Sequence, residues 1–80
     1  MNYAYAETLL AWAASYNNKT RRLVARLHEI TMASTMLYGH SLATMPYSNN
    51  PAVIELIDEA DSIMTGLSLA HQIMKLSGRA

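Results

Sequence analysis

The side chains best suited to chemistry in this chain are cations clustered near residue 20. Four of the six Lys and Arg residues lie within eight positions, namely Lys19, Arg21, Arg22 and Arg26. Guanidinium and ammonium groups bind carboxylates and phosphates through charge-assisted hydrogen bonds. On a helix, Glu29 lies one turn beyond Arg26 and would support it in a solvated stripe. The alternative is a basic patch that binds an acidic protein surface or a second copy of the chain.

A third interpretation of these cations is a site for an anionic small molecule or nucleotide, with a tyrosine for stacking. Its contacts would be Arg21, Arg22, Arg26 and Lys75. Nucleic acid is a less favoured partner, because the formal net charge is zero and no helix-turn-helix, zinc-finger or aromatic sheet motif is present. Cations without such a motif give only salt-sensitive, non-specific affinity.

The remaining polar side chains do not form a catalytic or metal-binding pattern. His28, His40 and His71 have no second ligand at metal spacing, and His71 falls on an apolar stripe, where we expect a hydrogen-bonded core histidine. No serine lies in a nucleophile motif, and the absence of cysteine excludes thiol catalysis and thiolate metal sites. We therefore predict that the protein is not an enzyme and needs no cofactor or metal.

Two helices are predicted on either side of a proline-containing turn at residues 45–51. Asn50 is a natural N-cap and Pro51 a natural first residue of the second helix, which we predict over about 51–77. Before the turn, apolar residues recur every seven positions: Leu9, Tyr16, Leu23, Ile30 and Leu37.

This unbroken phase favours one long first helix over about 3–43, with a kink or break near 17–18 as the open question. A break would place Lys19 and Arg21 at a helix N-terminus, where the helix dipole disfavours cations. The alternative has helices at about 3–16, 19–43 and 51–77, which close into a monomeric bundle.

The predicted fold is therefore all-α: an antiparallel helical hairpin in a single domain, 1–80, assembled into a helical-bundle oligomer. A first helix of about 40 residues spans roughly 60 Å and a second of about 27 roughly 40 Å, so the first 15 or so residues would overhang. Hydrophobic residues make up 51% of the chain and charged residues 15%, which also indicates a partner surface. The overhang and the basic stripe supply the predicted partner-binding residues: Tyr3, Tyr5, Trp12, Tyr16, Arg22 and Arg26.

The second helix has two further features that concern contacts. Its apolar stripe is widened by Ile54, Leu69, Ile73 and Leu76, so we expect the helix to touch more than one neighbour. Small residues recur every fourth position at Ser62, Gly66 and Ala70. They would admit a close helix, either from a partner or from the first arm, and both alternatives stay open.

These features predict a non-catalytic protein–protein interaction protein, such as an inhibitor, an adaptor or a co-chaperone. The layout of a short helical hairpin with much apolar surface resembles the needle-subunit chaperones of type III secretion systems and, equally, phage-encoded inhibitors of host defence. These resemblances imply a secretion-associated or viral protein; no motif carries them, and no residue roles follow. The absence of cysteine and of a basic N-terminal signal region predicts a cytoplasmic location, and no stretch suits a membrane span.

Overall fold

The computed structural model describes residues 3–39 and 47–78, which form three α-helices. Helix α1 spans Tyr3–Tyr16, α2 spans Asn18–Tyr38 and α3 spans Pro51–Leu76. The described residues contain no strand, so the predicted all-α class is confirmed. The predicted two-helix hairpin is wrong, because the first arm is two helices.

The first arm breaks at Asn17, where a capping box starts α2. The Asn17 backbone is extended, with φ −157° and ψ 177°. Its Oδ1 accepts a hydrogen bond from the Thr20 backbone N–H at 2.9 Å, and the Thr20 Oγ1 accepts one from the Asn17 backbone N–H at 3.3 Å. An N-cap contributes about 1 kcal/mol, whereas each cation near a helix N-terminus costs only a few tenths of a kcal/mol. The cap therefore offsets the charges that argued for a continuous helix.

Thr20 also ties the start of α2 to the end of α1. Its buried hydroxyl donates a hydrogen bond to the carbonyl oxygen of Ala13 at 2.6 Å. One side chain thus caps the new helix and satisfies a carbonyl that α1 leaves without a helical partner. Side-chain hydrogen bonds from Asn17 and Thr20 therefore fix the turn between the two helices.

The other helix boundaries follow from local signals. Helix α2 ends at Tyr38, earlier than the predicted position of about 43, because Gly39 adopts φ 69° and its N–H bonds the carbonyls one turn back. Residues 40–46 lie outside the described part, and with them the first two residues of the predicted turn. The predicted second helix is confirmed: the Asn50 side chain accepts from the Ala52 N–H at 2.9 Å, and Pro51 is the first helical residue.

The helices run up, down and up along the bundle. The hydroxyl of Tyr16, at the end of α1, donates to the sulfur of Met74 near the end of α3 at 2.9 Å. Further along α2, Arg26 contacts Glu59 in the first half of α3. Contacts therefore move toward the start of α3 as α2 proceeds, so these two helices are antiparallel.

The core consists of one apolar stripe from each helix. Its buried members are Leu9, Ala13, Val24, Ile30, Val53, Ala60, Ile63 and Leu67. Burial of each large aliphatic side chain contributes about 1.5–3 kcal/mol. Of the seven-residue series, Leu9 and Ile30 are buried, whereas Tyr16 and Leu37 are exposed. The series therefore crosses two helices with different buried faces.

Candidate interaction surface

Three aromatic residues of α1, Tyr5, Trp12 and Tyr16, contact α3, so the predicted overhang does not exist. The Trp12 ring is partly buried, and its centroid lies 4.8 Å from that of Tyr16 and 4.8 Å from that of His71. The Tyr5 ring lies 6.3 Å from His71. Tyr5 and Tyr16 keep an exposed edge, whereas Tyr3 belongs to α1 but its side chain lies outside the described part. The prediction that another molecule must bury these aromatics is therefore wrong for Trp12.

Two polar atoms of this aromatic cluster are buried without a partner in the described structure. They are the indole nitrogen of Trp12 and Nδ1 of His71. His71 is 7% exposed, which confirms its predicted burial, but its Nδ1 has no hydrogen-bond partner in the described structure. An unpartnered buried polar group costs about 1–3 kcal/mol.

Arg26, a predicted binding residue, is engaged by two carboxylates of its own chain. Its Nε and Nη2 donate to the two carboxylate oxygens of Glu59 at 2.5 and 2.8 Å, and its Nη1 donates to Glu29 at 3.1 Å. Hydrogen bonds from the guanidinium lower the pKa of Glu59, and the carboxylates raise the pKa of Arg26. The expected support from Glu29 is confirmed, and Glu59 is an additional partner. This guanidinium therefore already has two carboxylate partners within its own chain.

Arg22 and Lys75 lie at one end of the bundle. Because Tyr16 contacts Met74, the start of α2 lies beside the end of α3, and this places Arg22 and Lys75 at the same end. Both are exposed and have no ion pair in the described structure. Arg21 instead donates through Nε to the carbonyl of Ala14 at 3.2 Å. Of the four predicted cations, Arg21 and Arg26 thus have hydrogen-bond partners within the chain, whereas Arg22 and Lys75 have no ion pair in the described structure.

An exposed apolar row runs along the second half of α3. Leu69, Ile73 and Leu76 follow one another at i, i+4 and i+7 and are 56, 58 and 89% exposed. Toward the start of the helix, the same row continues with the exposed small residues Thr65 and Ser62. We call these five residues the α3 face. The sequence predicted that α3 touches more than one neighbour, and the helix does contact both α1 and α2, but the three large side chains of the face stay exposed.

Gly66 borders the α3 face in the interior of the helix. A Cβ atom built at this position would meet nothing within 4 Å. Glycine costs roughly 1 kcal/mol relative to alanine in a helix interior, and no contact within the chain requires it here. Of the two explanations for the row of small residues, packing against the first arm therefore does not apply to Gly66.

A groove with a volume of about 330 Å³ lies between α1 and α3, on one flank of the α3 face. Its apolar walls include Leu9 and Met64, and Leu69 of the α3 face lines it as well. The Tyr5 hydroxyl lies 3.4 Å from the Ser68 hydroxyl. Asp61 is the one charged residue of the lining, and it has no ion pair in the described structure. The groove is therefore mainly apolar, with one unpaired carboxylate.

A second exposed apolar group lies at the end of α2 and consists of Met32, Met36 and Leu37.

Comparisons with known proteins identify no relative: no protein-family model, curated protein or solved structure matches this chain. Within residues 3–39 and 47–78, no group of His, Asp and Glu side chains is arranged to hold a metal ion. None of the described helices has the length and apolar character needed to cross a membrane.

Proposed function

We propose that this chain is a small non-catalytic interaction protein that docks on another polypeptide through the α3 face. The observation that carries the proposal is the aligned exposure of Leu69, Ile73 and Leu76. Spacing of i, i+4 and i+7 is the pattern with which a helix anchors in a groove or against a second helix. A contiguous exposed apolar row of this kind supports an interaction site here.

The proposal moves the binding surface away from the residues that the sequence favoured. Trp12 packs within the bundle and Arg26 pairs with Glu59, so both have roles inside the chain. Tyr5 and Tyr16 contact α3 and keep only part of their surface exposed. A protein of this kind acts by occupying a surface of its partner, as an inhibitor, an adaptor or a co-chaperone does.

Site-specific photo-crosslinking tests the proposal. We place a benzophenone amino acid at Ile73 and, as a control, at His28, which is exposed on α2. Irradiation of cells that express the chain should give protein adducts from position 73 and none from position 28. Introducing Leu69→Asp should abolish the adducts. Equal adducts from both positions, or none from position 73, would contradict the proposal.

A second candidate function is binding of an anionic small molecule or nucleotide at the basic end of the bundle. The observation that favours it is the Tyr16–Met74 contact, which brings the unpaired Arg22 and Lys75 to one end. ATP and inorganic phosphate should then raise the Tm, and Arg22→Ala with Lys75→Ala should remove the rise. No shift across a nucleotide panel would exclude this candidate.

A further inference from the structure

We infer that the polypeptide on the α3 face is a second copy of this chain, with the two α3 helices packed antiparallel about Leu69. The inference rests on the proposed function and names its partner. Three observations carry it: the unequal halves of the face, the open space at Gly66, and the unpaired charges beside the face.

The two halves of the α3 face are complementary in size. The second half presents Ile73 and Leu76, and the first half presents Thr65 and Ser62. If Leu69 lies on a two-fold axis, Ile73 of one copy is opposite Thr65 of the other, because these residues lie four positions after and four positions before Leu69. Leu76 is likewise opposite Ser62, seven positions to either side. Each large side chain of one copy thus meets a small one of the other, as a self-complementary two-fold interface requires.

In this arrangement, Gly66 allows the two α3 helices to pack closely. It lies within one helical turn of Leu69, near the point where the two helices cross, and the space beside it is empty in the single chain. A residue without a side chain lets two helix backbones approach closely. The second copy therefore accounts for a glycine that helix stability and packing within the chain do not explain.

The charges beside the face are complementary too. Lys75 directly precedes Leu76 and Asp61 directly precedes Ser62, so both lie on the same flank of the face. A two-fold rotation places this flank against the same flank of the other copy. Lys75 is six positions after Leu69, and Asp61 is eight positions before it. Along the helix axis, Lys75 of one copy therefore lies roughly two residues, or about 3 Å, from Asp61 of the other copy. Neither residue has an ion pair in the described part of its own chain, and the symmetry forms the pair twice.

The flank that carries Asp61 is also the side on which the groove opens. The carboxylate of Asp61 lines this groove, so the ammonium group of Lys75 from the second copy would reach its mouth. One helix face on each chain lies at the small end of specific interfaces, which usually bury about 1,200–2,000 Å². The dimer is therefore reversible, and its population depends on concentration.

Cysteine cross-linking tests the arrangement, because the chain has no cysteine of its own. Leu69→Cys should give a disulfide-linked dimer under mild oxidation, since the same residue of both copies lies at the axis. A mixture of Ile73→Cys with a tagged Thr65→Cys chain should give the mixed dimer. Met36→Cys, which is also exposed but lies on α2, should stay monomeric. Self-linking of Ile73→Cys without the mixed dimer would indicate parallel helices and overturn the inference.

Charge reversal and light scattering supply a second, independent readout. Asp61→Lys or Lys75→Asp alone should lower the dimer fraction, and the double variant should restore it. Gly66→Leu should abolish the dimer and leave the helical circular dichroism intact, because the single chain has room for the side chain.

A chain that stays monomeric at all concentrations, with no cross-link at Leu69, would overturn the inference. The photo-crosslinking at Ile73 then distinguishes the two failures. Adducts with a different protein would preserve the proposed function with a foreign partner, whereas the absence of adducts would reject both.

Discussion

Individual residues determine how α2 and α3 are held together. Arg26 bonds Glu59 through two parallel hydrogen bonds, the geometry in which guanidinium and carboxylate groups recognise each other most specifically. Both side chains are partly exposed, so solvent screens the pair. Its contribution to stability should therefore be most visible as a dependence on pH.

We predict that Glu59→Gln reduces the acid sensitivity of the fold. The pKa of Glu59 is lowered in the folded chain by hydrogen bonds from Arg26, so the unfolded chain takes up its proton first as the pH falls. The stability that this pair supplies is complete above the ordinary glutamate pKa and is lost as the pH falls through it toward the folded-state value. Thermal melts from pH 7 to pH 3 should show a shallower decline of Tm in the variant.

Glu55→Gln is the matched control for this prediction. Glu55 lies one helical turn before Glu59 in α3 and has no ion pair in the described structure. Its variant should decline with pH as the unmodified chain does. If both variants lose the same part of the pH dependence, the pairing with Arg26 is not its cause.

We predict that His71→Phe raises the stability of the chain. The change keeps an aromatic ring against Trp12 and removes the unpartnered Nδ1, whose burial costs about 1–3 kcal/mol. Urea denaturation should give a gain of about 1 kcal/mol, whereas His28→Phe at an exposed position should give almost none. A clear loss of stability in His71→Phe would show that the nitrogen has a bound partner, such as an ordered water.

At the scale of the helices, the corner at Asn17 defines the fold. The capping box and the Thr20–Ala13 hydrogen bond turn the chain there, and the turn returns the aromatic face of α1 to α3. Without this corner, the residues of α1 would extend beyond the bundle. A local cap thus determines whether Trp12 contacts His71 or solvent.

We predict that Asn17→Ala lowers the free energy of unfolding by about 0.5–2 kcal/mol, the usual effect of losing an N-cap. The control is Asn18→Ala, an exposed change at the first helical residue, which should stay within about 0.5 kcal/mol of the unmodified chain. Urea denaturation followed by circular dichroism measures both. Equal effects from the two variants would mean that the capping box does not stabilise the corner.

The sequence was sufficient to predict where α3 begins, but it did not predict the break in the first arm. Asn50 and Pro51 mark the start of α3 by local chemistry that tertiary contacts do not alter. The seven-residue series misled because apolar residues of two different helices fell in phase by chance. Asn17 followed three residues later by Thr20 was the available signal for the break, because a threonine hydroxyl can complete a capping box in place of the usual Glu or Gln.

The candidate surface was only partly predictable. The pattern of α3 indicated more apolar surface than one neighbour needs, and Leu69, Ile73 and Leu76 were among the residues concerned. Their exposure could not be inferred, since it depends on where α1 packs, and that follows from the missed corner. The engagement of Arg26 by Glu59 was likewise unpredictable, because it requires the alignment of two helices that are distant in sequence.

For the whole molecule, the amount of apolar surface that the core leaves exposed determines whether the chain self-associates. Three helices bury a small core, and the described part of the chain still exposes a row of large aliphatic side chains on α3. If only folded chains associate, a higher protein concentration stabilises the folded state by mass action. Folding and self-association should therefore be linked in this protein.

We predict that the Tm rises with protein concentration and that Leu69→Asp with Ile73→Asp removes this rise. Charges on the α3 face would have to be buried unpaired against the second copy, which is costly, whereas they remain solvated on the monomer. Met32→Asp with Met36→Asp makes the same change of charge on exposed residues of α2 and should leave the rise unchanged. Melts followed by circular dichroism over a wide concentration range, with molecular mass from light scattering, make the measurement. A concentration-independent Tm in the unmodified chain would show that the α3 face does not bind a second copy.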